Sequence, residues 1–211
     1  MKSGSFSFTA PRLNKTKIWE HADNFRIKYA SQGDIPVSIS DIIEFKLGIN
    51  LDPIQGLKTS GDIEALLLGT LDTIVVDSAQ FLDDRFQNRM RFSLAHEVGH
   101  LILHSEIIKK LRPASIEEWI EMMDVLDNEE YAAIEQQAYE FAGRLLVPLP
   151  NLICELKGKK YLVDKLLSNH PEISEQAIIE SLSNSICKKF GVSYYVIAKR
   201  IKVEGLWPIP E

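Results

Sequence analysis

The sequence predicts an α+β protein, with a small, mostly antiparallel sheet packed on helices and a helical C-terminal portion. Residues 51–82 consist of short apolar, β-branched runs broken by Gly and Asp, which is typical of short strands. Almost everything after Asp84 instead places apolar residues at helical spacing. We expect a core over residues 1–150 and a helical C-terminal subdomain over residues 151–211.

The N-terminal half begins with two predicted helices. The first covers residues 15–31, and the second begins at a cap provided by Ser38 or Ser40 and ends before Gly48. The short strands follow, and Gly69–Asp72 has the composition of a hairpin connection.

The C-terminal half is predicted to be a series of helices. The first covers about residues 87–105, and the next begins at Ser115, where Glu118 three residues later completes a capping box. Further helices are predicted over residues 129–147, 150–168, 172–190 and 193–203.

The composition indicates an ordinary globular protein of the cytoplasm. Hydrophobic residues make up 45% of the chain and charged residues 26%, and no apolar run is long enough to span a bilayer. The first residues lack the apolar region of a secretory signal, and two lone cysteines, Cys154 and Cys187, fit a reducing compartment. We therefore expect a cytoplasmic protein with no membrane partner.

The helix predicted over residues 87–105 contains the run RFSLAHEVGHLILH. Its residues His96 and His100 are one helical turn apart, so both can reach one ion. Glu97 lies about 100° further round the helix, where it could act as general base on metal-bound water. This HExxH spacing predicts a zinc site, although another divalent metal could fill it.

A buried helix with hydrogen-bonded histidines is the alternative interpretation of this run. Gly99 favours the metal site, because glycine inside a helix costs about 1 kcal/mol relative to alanine and implies that a backbone or substrate approaches closely. The neighbouring residues are apolar, so His96, Glu97 and His100 would be polar groups in a core. A bound metal would compensate for that burial.

His104 extends the row of histidines by one more turn. It lies about 12 Å from His96 along the helix axis, which is too far for both to bind one ion. We expect His104 to pack against the site or to support one of the ligands.

The third metal ligand must come from another part of the chain. The pattern HExxHxxGxxH fails, because Leu103 and Glu106 stand at the required positions. Glu135 lies on the apolar stripe of a later helix, three residues before Ala138 and seven before Ala142, where a solvated charge would be out of place. Glu135 is the favoured ligand, and the alternatives are Glu129, Glu130 and Asp127.

Two runs together, RFSLAHEVGHLILH and EQQAYEFAGRLLVP, resemble the ImmA/IrrE family of metallopeptidases. The resemblance implies a zincin-like core of gluzincin type, in which His96, His100 and Glu135 bind zinc and Glu97 is the catalytic base. It further implies cleavage of a partner protein, often a helix-turn-helix repressor encoded nearby in a mobile element. Tyr139 departs from the family, which commonly has Asn or Asp there to support a ligand histidine.

The predicted reaction is peptide-bond hydrolysis. We expect the substrate to lie extended and to add a strand to an edge of the sheet predicted over residues 51–82. Tyr139, Tyr131 and His104 are candidates for stabilising the oxyanion.

The basic C-terminal segment supports a second hypothesis. Although the chain carries a net charge of −6, the stretch from Lys157 to Lys202 contains nine Lys or Arg against four Asp or Glu. A Gly-Val-Ser turn there joins two predicted helices, and the second carries Lys199, Arg200 and Lys202. Such a pair is compatible with a helix-turn-helix. A DNA- or protein-binding regulator with a structural or sensory metal site is therefore the alternative function.

Overall fold

The computed structural model describes residues 8–30, 34–123 and 128–210 of the 211-residue chain. The strands are β1 Asn50–Ile54, β2 Ala65–Leu67 and β3 Thr73–Asp77. The helices are α1 Lys15–Tyr29, α2 Ile39–Asp41, α3 Leu57–Gly61, α4 Ser78–Phe81, α5 Gln87–Leu111, α6 Ile116–Met123, α7 Asn128–Leu146, α8 Leu149–Asn169, α9 Glu175–Phe190 and α10 Tyr194–Val203. A π-helical turn, Ile42–Lys46, follows α2, and a 3-10 turn, Asp84–Phe86, precedes α5.

The predicted α+β class is confirmed, and the long helices agree with prediction to within a few residues at most ends. The exception is α5, which continues to Leu111 through a non-helical residue, His104, at φ −131° and ψ 15°. The short helices α3 and α4 were not predicted, because four or five residues are too few to show a helical period. At α6 one of the two bonds of the predicted capping box is present, since the backbone N–H of Glu118 donates to Ser115 Oγ at 3.3 Å.

The sheet is mixed, rather than mostly antiparallel as the sequence predicted. Its strand order is β1-β3-β2, and β2 and β3 form the predicted antiparallel hairpin. However, β1 runs parallel to β3, with Asn50 opposite Thr73 and Ile54 opposite Asp77. The chain passes through α3 and β2 before it returns in β3, so the direction of β1 depends on that connection. Local residue patterns do not encode such a connection.

Both faces of the sheet are buried. Ile74 and Val76 face the larger apolar cluster, which they share with α1, α5, α7 and the C-terminal helices. Val75 points to the opposite face and joins Trp119 and Ile134 in a second cluster. Because the two clusters hold the sheet between them, the position of β2 relative to α5 is tightly determined.

The larger cluster continues across the boundary that was predicted between residues 150 and 151. It includes Phe141 and Leu145 from α7 together with Ile179 and Ile201 from α9 and α10. The division into two parts stays a prediction.

Within the described residues, no helix is both long enough and apolar enough to cross a membrane.

Helices α5 and α7 meet almost backbone to backbone at Gly99. A Cβ atom placed there would lie 3.2 Å from both Cα and O of Ala138, and 3.3 Å from Cδ1 of Phe141. The close approach predicted from Gly99 is therefore confirmed, and the approaching backbone is that of α7.

We expect Gly99→Val to lower the free energy of unfolding by roughly 1–3 kcal/mol, because overpacking would force α5 and α7 apart. Urea denaturation followed by circular dichroism measures the change. The matched control is Gly158→Val in α8, where an added Cβ would have no atom within 4 Å other than those of its chain neighbours and its own helical backbone. That control should change stability by less than about 0.5 kcal/mol. Equal losses in the two variants would contradict the close contact.

Candidate metal centre

Three side chains from α5 and α7 converge on one point. His96 Nε2 lies 3.0 Å from His100 Nε2. Glu135 reaches both histidines, with Oε2 3.0 Å from His96 Nε2 and Oε1 3.0 Å from His100 Nε2. A tetrahedral zinc ion with bonds of about 2.0–2.1 Å would hold its ligand atoms about 3.3 Å apart. The three side chains therefore fit a single ion.

The charge states of these side chains also suit a metal. Burial lowers the pKa of His100, which keeps its imidazole neutral. Burial alone would raise the pKa of Glu135, but its contacts with His100 and His96 outweigh that effect and hold the pKa below its ordinary value. Metal binding requires neutral imidazole and ionised carboxylate, and both are favoured here.

Glu97 lies beside this cluster with one carboxylate oxygen held in place. Its Oε2 accepts hydrogen bonds from the backbone N–H of Leu67 at 2.8 Å and from Arg112 Nη1 at 2.6 Å. Burial raises the pKa of Glu97, but the charge of Arg112, the two histidines and the hydrogen bond from Leu67 together outweigh this effect, so the net shift of the pKa is downward. Glu97 is therefore ionised at neutral pH. Its Oε1 has no hydrogen-bond partner within the described ranges.

The carboxylate of Glu97 is also close enough to compete with Glu135 as the third ligand. A ligand atom from each of His96, Glu97 and His100 lies within 4.8 Å of the other two. Glu135 is closer to both histidines, and the hydrogen bonds from Leu67 and Arg112 hold Glu97 to one side. The geometry favours Glu135 as the ligand, and the roles of all four residues stay predictions.

Arg112 is the site residue that the sequence analysis missed. Its side chain is buried, with the whole residue only 3% exposed, and Nη1 also donates to the carbonyl of Leu67 at 3.1 Å. Its Nη2 lies 3.7 Å from Glu135 Oε1, and its guanidinium lies over the ring of Trp119. Arg112 follows the end of α5, where a basic residue is ordinary, so no local signal marked it.

His104 supports His100 from behind, in the position that the sequence predicted. Burial lowers the pKa of His104 to about 4, so its ring is neutral at neutral pH. Its Nδ1 lies 3.2 Å from His100 Nδ1, and its Nε2 lies 3.1 Å from Gln137 Oε1. Gln137 in turn donates to the carbonyl of Pro11 at 2.7 Å. These contacts engage the Nδ1 atom of His100, so its Nε2 atom faces Glu135.

The other candidate residues lie in different places. Glu130 accepts hydrogen bonds from Ala10 and Arg12 instead of facing the histidines, and Glu129 is exposed at the start of α7. Asp127 lies outside the described residues. Of the proposed oxyanion residues, Tyr131 lines the same cleft, and its burial raises its pKa, so the phenol keeps its proton.

The sequence model of the IrrE N-terminal-like domain, Peptidase_M78, matches residues 83–202. The match covers more than half of the chain and includes α5 and α7. The chain belongs to this family. The predicted resemblance is thereby confirmed, and the family indicates a metallopeptidase of the IrrE/ImmA type. A search of curated proteins gave no match.

Tyr139 leaves one of the candidate ligands of this peptidase without support. The Nδ1 atom of His96 is buried and has no hydrogen-bond partner among the described residues. The ring of Tyr139 lies against it instead, with ring centroids 4.4 Å apart. Ligand histidines in metal sites almost always donate their second ring N–H to a carboxylate, carbonyl or water. The replacement of the family's Asn or Asp by Tyr139 therefore coincides with a His96 ring whose Nδ1 atom has no hydrogen-bond acceptor among the described residues.

We expect Tyr139→Asp to tighten zinc binding by about tenfold, because the carboxylate would accept the free Nδ1–H of His96. Competition with a chromophoric zinc chelator measures the affinity. Tyr139→Ala is the control, since it removes the ring without adding an acceptor. If both variants bind zinc equally well, the missing hydrogen bond does not limit affinity.

Proposed function

We propose that the protein is a zinc-dependent endopeptidase that makes a site-specific cut in a partner protein. The observation that carries this proposal is the convergence of His96, His100 and Glu135 beside an ionised, buried Glu97. Zinc held by the three ligands would supply Lewis acidity, which lowers the pKa of water and polarises a carbonyl group.

Glu97 is the proposed general base. Because Leu67 and Arg112 hold Oε2, the partner-free Oε1 is the atom that takes the proton from the attacking water. The same carboxyl group then delivers the proton to the leaving amine. Arg112 keeps the carboxylate ionised and fixes its orientation, which makes Arg112 a positioning residue for the base.

The substrate is proposed to bind along β2. This edge strand lines a cleft of about 480 Å³ that also contains His96, Glu97 and Glu135. Leu68 N and Glu64 O form backbone hydrogen bonds with β3. Only every second residue of an antiparallel strand bonds to its partner strand, so the backbone N–H and C=O of Ala65 point away from β3. The backbone N–H and C=O of Leu67 also point away from β3, but they already form hydrogen bonds with Glu97 and Arg112, respectively. Ala65 is thus the residue at which an extended peptide adds a strand.

Family membership and the resemblance of the two motifs support a helix-turn-helix repressor as the partner, with cleavage in the cytoplasm. The alternative of a DNA-binding regulator is weakened by one of its own basic residues. Arg200 is only 2% exposed and pairs with Glu140 and Glu204, so it is not on the surface of α10. Lys199 and Lys202 alone remain exposed from that group.

We expect Glu97→Gln to retain zinc stoichiometry but to reduce cleavage of a co-expressed repressor by roughly 10²–10⁴-fold, the usual contribution of a general base. Elemental analysis measures the metal, and gel analysis of the repressor measures cleavage. His100→Ala should lose the zinc as well.

Glu106→Gln is the matched control, since it removes an exposed glutamate from the same helix. It should leave both metal content and cleavage unchanged. Undiminished cleavage by Glu97→Gln would disprove the proposed base. Salt-sensitive binding to duplex DNA by metal-free protein would instead favour the regulator.

A further inference from the structure

A second cavity, of about 280 Å³, lies beside the proposed catalytic cleft, between α5, α7 and α10. Phe92 and Tyr139 line both cavities, so their two rings form the wall between them. The rings are stacked, with centroids 5.8 Å apart and an angle of 28° between their planes. Tyr195 and Gly143 also line the second cavity, which we call the aromatic subsite.

The aromatic subsite lies one helical turn from the candidate metal ligands. Phe92 precedes His96 by one turn of α5, and Tyr139 follows Glu135 by one turn of α7. One turn measures about 5.4 Å along a helix axis. An extended peptide advances about 3.3 Å per residue, so this distance corresponds to roughly two residues of substrate.

The lining of the aromatic subsite is apolar, with one unbalanced positive charge. Tyr139 and Tyr195 expose 47% and 68% of their surface, which is a large area of aromatic ring to leave in water. The charges of Glu140 and Arg200 in the lining neutralise each other. Lys199 is exposed and makes no ion pair with any residue that the structure describes.

We propose that the aromatic subsite selects the peptide substrate. It binds an aromatic or large aliphatic side chain about two residues from the cleaved bond, while an acidic residue next to that side chain faces Lys199. This inference rests on the proposed peptidase function. The observation that supports it is that the aromatic subsite adjoins the cleft at Phe92 and Tyr139, which line both.

The test uses full-length, zinc-loaded Glu97→Gln protein, so that binding is measured without cleavage. The probes are fluorescein-labelled heptapeptides of Ala and Gly that contain one Phe, with or without an adjacent Asp. Fluorescence polarisation should show tightest binding for the peptides that contain both. Replacing Phe by Ala should weaken binding roughly tenfold or more, as expected for loss of a side chain from its pocket.

Variants of the aromatic subsite are then combined with Glu97→Gln. Gly143→Leu fills the cavity, where an added Cβ would contact the Cδ atom of Arg200 at 3.3 Å. It should abolish the preference for Phe, and Tyr195→Ala, at an exposed position, should weaken that preference. The matched control is Gly158→Leu, at an exposed glycine of α8 that does not line the aromatic subsite.

Charge is tested separately with Lys199→Glu, which should abolish or reverse the preference for Asp without changing the preference for Phe. Lys165→Glu, at an exposed lysine of α8, is its control and should change neither. Absence of any preference for Phe, including absence of binding, would overturn the aromatic subsite. So would equal losses in Gly143→Leu and Gly158→Leu.

Wild-type protein incubated with the same peptides separates this inference from the proposed function. Cleavage about two residues from Phe is the expected result. Binding with the predicted preferences but without cleavage would contradict the peptidase and leave the aromatic subsite as a peptide-binding site. Cleavage without preference would overturn the aromatic subsite alone.

Discussion

The contact between the backbones of Gly99 and Ala138 is the constraint on which the candidate site depends. Gly99 directly precedes His100 on α5, and Ala138 lies three residues after Glu135 on α7. A side chain between the helices would move the carboxylate of Glu135 away from both histidines. Small residues at a helix crossing allow a short interaxial distance. Glycine inside a helix is energetically unfavourable, and here it occurs where the two helices that carry the candidate ligands come into contact.

Ion pairs that involve buried arginines hold α7 on the side away from the cleft. Glu140 accepts a hydrogen bond from Trp19 Nε1 at 2.6 Å and pairs with Arg200 of α10. Arg144 pairs with Glu204 and, through two hydrogen bonds, with Asp23 of α1. Removing one member of such a network leaves a buried charge without its partner, which is strongly destabilising. The C-terminal helices therefore hold α7, and with it Glu135, in position.

The sequence predicted those features of the site that depend on local spacing. The HExxH pair and the position of Glu135 on an apolar stripe both follow from helical periodicity, and the structure brings these residues together. Arg112 could not be predicted, because its meeting with Glu97 depends on how the end of α5 passes the hairpin at Gly69. There, an added Cβ would collide with the carbonyl of Arg112.

The parallel direction of β1 and the burial of Arg200 could not be predicted from the sequence either, because both depend on contacts between distant parts of the chain. The parallel pairing of β1 with β3 is fixed by the path of the chain through α3 and β2. Arg200 looked like one of several surface cations on an amphipathic helix. Its partner Glu140 is on α7, so only the packing of α10 on α7 turns it into a buried ion pair.

Under the proposed function, Tyr139 would contribute both to the support of the metal site and to substrate recognition. An Asn or Asp at this position would have been available to hold His96, whereas the tyrosine leaves Nδ1 of His96 without a partner among the described residues. The same ring, together with Phe92, forms the wall between the cleft and the aromatic subsite. Under the proposed function, Tyr139 cannot accept the hydrogen bond that would stabilise His96 as a ligand. Its ring instead provides an apolar surface for the substrate. Because its ring touches His96, a side chain bound in the aromatic subsite also restricts the movement of that ligand. Substrate binding and metal retention would then reinforce each other through one aromatic contact.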